Sequence, residues 1–332
     1  MSKNTAIFYG LLVVLSAVCI GCDNDFDALY KESRRKMTFH DGMNFFYYAN
    51  VDVSIETNRD QYKNLLVFVH GAGLDASEHF NAAVKAIRSA GLTENTIVLA
   101  PHFQKEKTDS NYYWTKYSWK DGRKSINAVP KISSYSVLDS LLIKEMLSNY
   151  PEINTVVISG HSAGAQFVYR YSLLSKLEES IAQEIHYLPL NPSSVTYLGP
   201  ERWNAAKDRF EIPLNAPSCP GYDTWIYGIS DVSANEYDRE ITTDDILSYC
   251  PSRNVTIGIG TLDLEGQGGG DGCEELYQGV HRYERAHNVH NHMDVFFPGH
   301  SHRIIDVEGV DHDRYRMMTS PEIIDFLNEV FE

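Results

Sequence analysis

Ser162 lies in "VVISGHSAGAQF" (156–167), an apolar run that stops at a glycine and then carries a hydroxyl through a stretch of small residues. Gly160, Ala163 and Gly164 leave room for a turn too tight for bulky side chains. Such a turn can be a nucleophile elbow, in which a strand-to-helix bend holds a strained serine clear of its own backbone. It can also be an ordinary helix N-cap, a position where serine is common. A serine hydroxyl is a weak nucleophile near neutral pH, so acyl transfer needs an imidazole to take its proton. The imidazole needs a buried carboxylate to orient it. The tetrahedral oxyanion needs two donors already in place, each worth roughly 3 kcal/mol of barrier. Candidates for these parts are present. "VFVHGAG" (67–73) ends an apolar run in His-Gly-Ala-Gly, whose glycines let backbone N–H groups face a cavity. "IGIGTLD" puts Asp263 just past a strand end, with Asp231 and Asp306 as rivals for the acid, and "VEGVDHD" puts His312 in a loop after the last strand.

These groups must be held at one edge of a scaffold, and the flanking sequence describes one. From residue 37 onward strands alternate with helical stretches, the pattern of a mostly parallel sheet covered on both faces. "FFYYANVDVSI" (45–55) alternates as an early strand, while "LLVFVH" (65–70) and "TIVLAP" (96–101) read as buried parallel strands. Between them "SEHFNAAVKAIRSAG" has helical periodicity, with Gly91 to end it. Residues 133–151 read as a helix with serines at its start and proline after its end. Residues 155–159 form the strand that feeds the turn at Ser162, and further strands are expected at 184–190, 254–260 and 302–309. The last helix starts at Ser320-Pro321-Glu322. Residues 191–252, rich in proline, tyrosine and tryptophan, interrupt the rhythm and read as a cap or lid insertion.

Together the His-Gly-x-Gly turn, the Gly-x-Ser-x-Gly turn, the acid after a later strand and the Gly-x-x-His loop resemble the α/β-hydrolase superfamily of serine esterases and lipases, over roughly residues 40–332. The resemblance implies an α/β fold with a mostly parallel central sheet, helices on both faces and a cap insertion. It implies Ser162 as nucleophile, His312 as base, Asp263 as acid, and the N–H groups of Ala72 and Ala163 as the oxyanion hole. The expected function is an exported serine hydrolase that cleaves a small-molecule or polymer ester and requires no cofactor. The alternatives are a peptidase or acyltransferase on the same triad, or a non-catalytic binding protein on the same fold.

Composition is that of an ordinary globular protein: 332 residues, 43% hydrophobic and 22% charged. A net charge of −16 argues against a nucleic-acid partner, whose phosphates it would repel. The N-terminus is different. Lys3 precedes the apolar stretch Ala6 to Ile20, and small residues then lead to Cys22, so residues 1–21 read as a signal peptide. The run is shorter than the ~20 apolar residues a bilayer span requires. Ile20-Gly21-Cys22 resembles a bacterial lipobox, with Cys19 where leucine is usual; this implies lipidation at Cys22 and membrane attachment only through that anchor. Residues 22–36 read as a polar tether. Export permits disulfides, and Cys219 and Cys250, both followed by proline and bracketing one insertion, are the expected pair, with Cys273 left over.

Two clusters invite other readings. His287, His290, His292, His300 and His302 lie close in sequence but match no helical HExxH motif, so no metal is assigned and the stretch reads as polar loop. Tyr112, Trp114 and Trp119 follow a strand end and are candidates to line a substrate pocket. His161 is read as structural and His70 as holding the oxyanion loop. "GQGGGDG" (266–272) lacks the Gly-Lys-Ser/Thr of a phosphate loop and reads as a flexible loop near the site.

Overall fold

Strands that are apolar at every position make sense only when both faces of their sheet are covered, and the chain folds that way. The structure, a computed structural model, describes residues 33–56, 58–264 and 272–332. The strands are β1 (Arg34–Thr38), β2 (Asn44–Ala49), β3 (Asn64–Val69), β4 (Thr96–Pro101), β5 (Thr155–His161), β6 (Glu184–Leu190), β7 (Arg202–Asn204), β8 (Arg209–Glu211), β9 (Asn254–Gly260) and β10 (Arg303–Val307). Eight of them form one sheet in the order β1-β2-β4-β3-β5-β6-β9-β10. β1, β2 and β4 pair antiparallel in turn, and the rest pair parallel. The parallel strands therefore deliver their carboxyl ends, and the loops that follow, to a single edge of the sheet.

The main helices are α1 (Ala76–Ser89), α2 (Ser134–Ser140, continuing as a π-helical segment to Leu147), α3 (Ala163–Leu174), α4 (Thr243–Tyr249), α5 (Arg282–Phe296), α6 (Arg314–Met318) and α7 (Pro321–Phe331). Alternate residues of the central strands fill two cores. Leu65, Val67, Val156 and Ile158 point into one with α2 and α3, whereas Leu66, Phe68 and Val157 point into the other with α1 and α7. Every residue of α3 is buried. Arg253, at the entry to β9, donates to the carbonyls of Ser172 and Ser175 where α3 ends. The helix that begins beside Ser162 is thereby fixed at its far end by a cation on orphan carbonyls. No helix among the described residues is long and apolar enough to cross a membrane.

Several boundaries differ from the sequence reading. Arg34 to Lys36 belong to β1 rather than to a tether: only Met37 of this strand is buried, and charged side chains on an edge strand look like linker. The early strand stops at Ala49. The signal-peptide residues 1–21, Cys22 and the glycine-rich residues 266–271 lie outside the described residues.

The insertion 191–252 holds the β7–β8 hairpin and α4, and part of it is core: Val195, Tyr197, Ile229, Val232 and Ile246 are buried in the same cluster as β5 and α3. Asp139 on α2 ties it down further, accepting O–H bonds from Tyr171 (2.5 Å) and from Tyr237 of the insertion (2.9 Å). The disulfide joins Cys219 to Cys273, not to Cys250. Cys250 is a free, buried thiol at the end of α4, packed in the larger core, where burial pushes its pKa up to about 12. Sequence neighbourhood in the insertion placed the two proline-flanked cysteines on one segment, but the fold sends one into the core and the other toward the helical turn Cys273–Leu276.

Candidate active site

β5 runs directly into α3 through Ser162, whose backbone is held at φ 59° and ψ −112°. An L-residue adopts that conformation only when its surroundings impose it. The surroundings here are two close approaches. A Cβ on Gly160 would stand 2.4 Å from the carbonyl oxygen of Gly164, and one on Gly164 would stand 2.2 Å from that of Val69. The two glycines of Gly-x-Ser-x-Gly are required because α3 is pressed against the ends of β3 and β5. The Ser162 amide is spent on the Leu190 carbonyl (3.0 Å), so its hydroxyl is the polar group left facing outward.

The Ser162 hydroxyl meets His312 Nε2 at 2.9 Å, and His312 Nδ1 meets Asp263 Oδ2 at 2.7 Å. Because Nδ1–H donates to the carboxylate, Nε2 keeps its lone pair and accepts from the hydroxyl. Asp263 is 1% exposed and His312 about one third exposed, so the carboxylate is dry while the imidazole reaches solvent. The two loops that carry them are laced together. Leu262 N–H donates to Val310 O, Thr261 N–H to Val307 O, and Gly309 N–H to Thr261 Oγ1. Asn191, buried at the end of β6 with φ 52°, accepts from Gly260 N–H (2.9 Å) and donates to Asp311 O (3.0 Å). A single side chain thus spans the acid turn and the base loop.

The His-Gly-Ala-Gly turn passes close by: a Cβ on Gly71 would lie 3.7 Å from Ser162 Cβ. Two neutral imidazoles hold it. His70 donates from Nδ1 to Gly71 O (2.8 Å) and accepts Phe103 N–H at Nε2 (3.1 Å). His79 accepts Gly71 N–H at Nε2 (3.2 Å) and donates from Nδ1 to Asp75 O (3.1 Å). Burial drives their pKa values down to about 3 and about 4, so neither carries charge at neutral pH. The amides of Ala72 and Ala163 have no hydrogen-bond acceptor among the described residues. His161 is buried with its ring 4.7 Å from that of His312, and burial beside that ring holds its pKa well below the usual histidine range.

No protein-family model matches the chain, and no curated protein does. Solved structures do. A poly(3-hydroxybutyrate) depolymerase from Bordetella parapertussis superposes with a TM-score of 0.57 at 17% identity, over 89% of this chain and 90% of that one. A poly(aspartic acid) hydrolase-1 from Sphingomonas sp. KT-1 superposes at 0.58 with 18% identity, over 90% and 99%. The chain has the α/β-hydrolase fold. In that α/β-hydrolase frame Ser162 follows β5, Asp263 follows β9 and His312 follows β10, all at the carboxyl edge of the sheet.

The rival acids lie elsewhere in the α/β-hydrolase body. Asp231 accepts Trp225 N–H within the insertion, and Asp306 on β10 pairs with His287 at 2.8 Å. Tyr112, Trp114 and Trp119 are not pocket residues. They are 3%, 0% and 0% exposed, and each polar tip is already taken, by Asp41, Arg123 O and Lys116 O respectively. Trp119 stacks on Phe103 and packs 4.5 Å from His70, so it backs the oxyanion loop from inside the core.

Three of the clustered histidines, His287, His290 and His292, lie on helix α5 rather than in loop, while His300 and His302 are in loop as expected. His290, Asp294 and His300 bring ligand-type atoms within 4.8 Å of one another. However, His300 Nδ1 accepts His302 N–H (2.9 Å), so the ring proton sits on Nε2 and is donated to Asp294 (3.1 Å).

Proposed function

We propose that this chain is a serine hydrolase that cleaves carboxylic esters through an acyl-enzyme on Ser162, with His312 as base and Asp263 as acid. The observation that carries it is the unbroken hydrogen-bond chain from the serine on its strained turn, through the imidazole, to a buried carboxylate. Ser162 Oγ attacks the ester carbonyl while its proton passes to His312 Nε2. The oxyanion so formed takes hydrogen bonds from the amides of Ala72 and Ala163, the latter at the positive end of α3. The tetrahedral intermediate collapses, His312 returns the proton to the leaving alcohol, and the acyl group stays on Ser162. Water, deprotonated by the same imidazole, then releases the acid and restores the hydroxyl. Every step is met by groups of this chain.

Both neighbours with the better superpositions are named for polymer substrates, which supports a polymeric or oligomeric ester and keeps an amide in play. The insertion is read as the cover of the cleft, because its Ser194 takes hydrogen bonds from Gln166 (2.7 Å) and Arg170 (3.0 Å) on α3, one and two turns beyond Ser162. A fluorophosphonate should label folded protein stoichiometrically at Ser162, and a panel of nitrophenyl esters and aminoacyl amides should show turnover led by esters. Absence of labelling would leave a binding protein on a hydrolase scaffold, and amide-led turnover would leave a peptidase.

Export with a lipid anchor at Cys22 is part of the same proposal, supported by the leader sequence and by the Cys219–Cys273 disulfide, which suits an oxidising compartment. Cys22→Ser should release the protein from membranes and abolish fatty-acid incorporation. A variant that still fractionates with lipid would refute the anchor.

A further inference from the structure

Arg282 stands against the acid and has no part in the steps above. It opens α5, is 5% exposed, and places NH1 3.0 Å from Asp263 Oδ1, the oxygen that His312 does not use. Its Nε donates to Ser193 Oγ (3.1 Å), which aims the guanidinium. Among the described residues no backbone amide donates to the Asp263 carboxylate, so its partners are the imidazole on one oxygen and the guanidinium on the other. A carboxylate this dry would take up a proton unless a cation or hydrogen-bond donors held it ionised. The cation beyond it also weakens the pull that the carboxylate exerts on a protonated imidazole.

Other charges around His312 are more distant or already paired. Asp311 pairs with Arg316, Arg314 with Asp75 and Glu78, and exposed Asp313 caps α6 through its side chain. His161, whose ring faces His312, is neutral.

We propose that Arg282 is a positioning residue whose charge, held on Asp263 Oδ1, keeps the carboxylate ionised and lowers the proton affinity of the Asp263–His312 pair relative to the same pair without that charge. This deepens the hydrolase proposal and rests on it for its consequence in turnover. The arrangement differs from an acid held by backbone amides alone, because a side-chain charge sets the working range and can be removed by one substitution.

The test is a titration of the His312 imidazole by NMR in the full chain, its signal assigned as the one lost in His312→Ala. Arg282→Gln should raise the midpoint by about one pH unit, the effect expected when a charge within hydrogen-bond reach is removed. Protonation of the acid or of the base gives the same rise, since the midpoint belongs to the pair. Arg282→Lys, which keeps the charge, should stay near the parent. The acid limb of kcat/KM for a nitrophenyl ester should move with the midpoint. Mere loosening of the site would leave the midpoint unchanged or lower it, and either result for Arg282→Gln would overturn the proposal. Should that variant not fold, Arg282→Met, which also removes the charge, should show the same rise, and an unmoved midpoint would be equally fatal. The titration needs no turnover, so an enzyme inert toward esters would end the functional proposal and leave the Arg282 measurement to be judged by itself.

Discussion

Ser162→Ala should fold and melt as the parent does while losing on the order of 10⁴–10⁶-fold in kcat toward any ester the parent cleaves. Two features make so large a loss compatible with an intact fold. Among the described residues the hydroxyl bonds only to His312, so its removal empties no core position and strands no buried donor. The turn itself is imposed by the contacts around Gly160 and Gly164, not by the serine side chain. What remains is the stabilisation offered by the Ala72 and Ala163 amides and by substrate binding, which cannot replace a covalent step. Steady-state hydrolysis and a melting curve on the same preparation decide it. Undiminished turnover would move the nucleophile elsewhere and end the proposal.

His312→Ala should match that loss, and the double variant should lose nothing further. Serine and imidazole act as one unit: without the base the hydroxyl stays protonated, and without the hydroxyl the base has no proton to take. Thirteen histidines make the assignment a sharp one. His300, whose nitrogens are occupied by His302 N–H and Asp294, should keep most activity as alanine. His302 is buried and bonded to Cys250 O (2.9 Å), so His302→Ala should cost stability but spare turnover per folded molecule. A deep loss at either, with His312→Ala active, would place the base on the wrong side of β10. In the parent, activity should fall as pH drops, because a protonated imidazole cannot accept from the serine.

The parts of this protein that were legible in sequence are those written in local pattern. Strands β3, β4 and β5 are apolar at every position because both faces are covered, and the small residues around Ser162 mark a close approach that bulk would forbid. The hydrogen bonds of His70 on the oxyanion loop follow from its place at a strand end. Other parts have partners far off in sequence and leave no pattern. Arg282, Asn191 and His79 each satisfy a group on another element, and nothing beside them announces it. Helix α5 reads as polar loop because its buried face mixes Arg282, Arg285, Asn288 and His292 with Ala286, Val289 and Met293, which dilutes the apolar stripe. The aromatics at 112–119 could be assigned to core or pocket only once their polar tips had found acceptors. The cysteine pairing depended on which segment enters the core, which spacing does not encode.

His312 hangs from the last strand of the sheet, and within that sheet β10 pairs on one side only, with β9. An edge strand can detach locally at a lower free energy than the whole domain requires to unfold. Detachment of β10 would carry the loop of His312 away while β3, β5 and α3 kept the serine and its turn in place. Such an opening would part His312 from Ser162 without unfolding the rest of the domain, so the distance between those two side chains depends on the anchorage of one short strand.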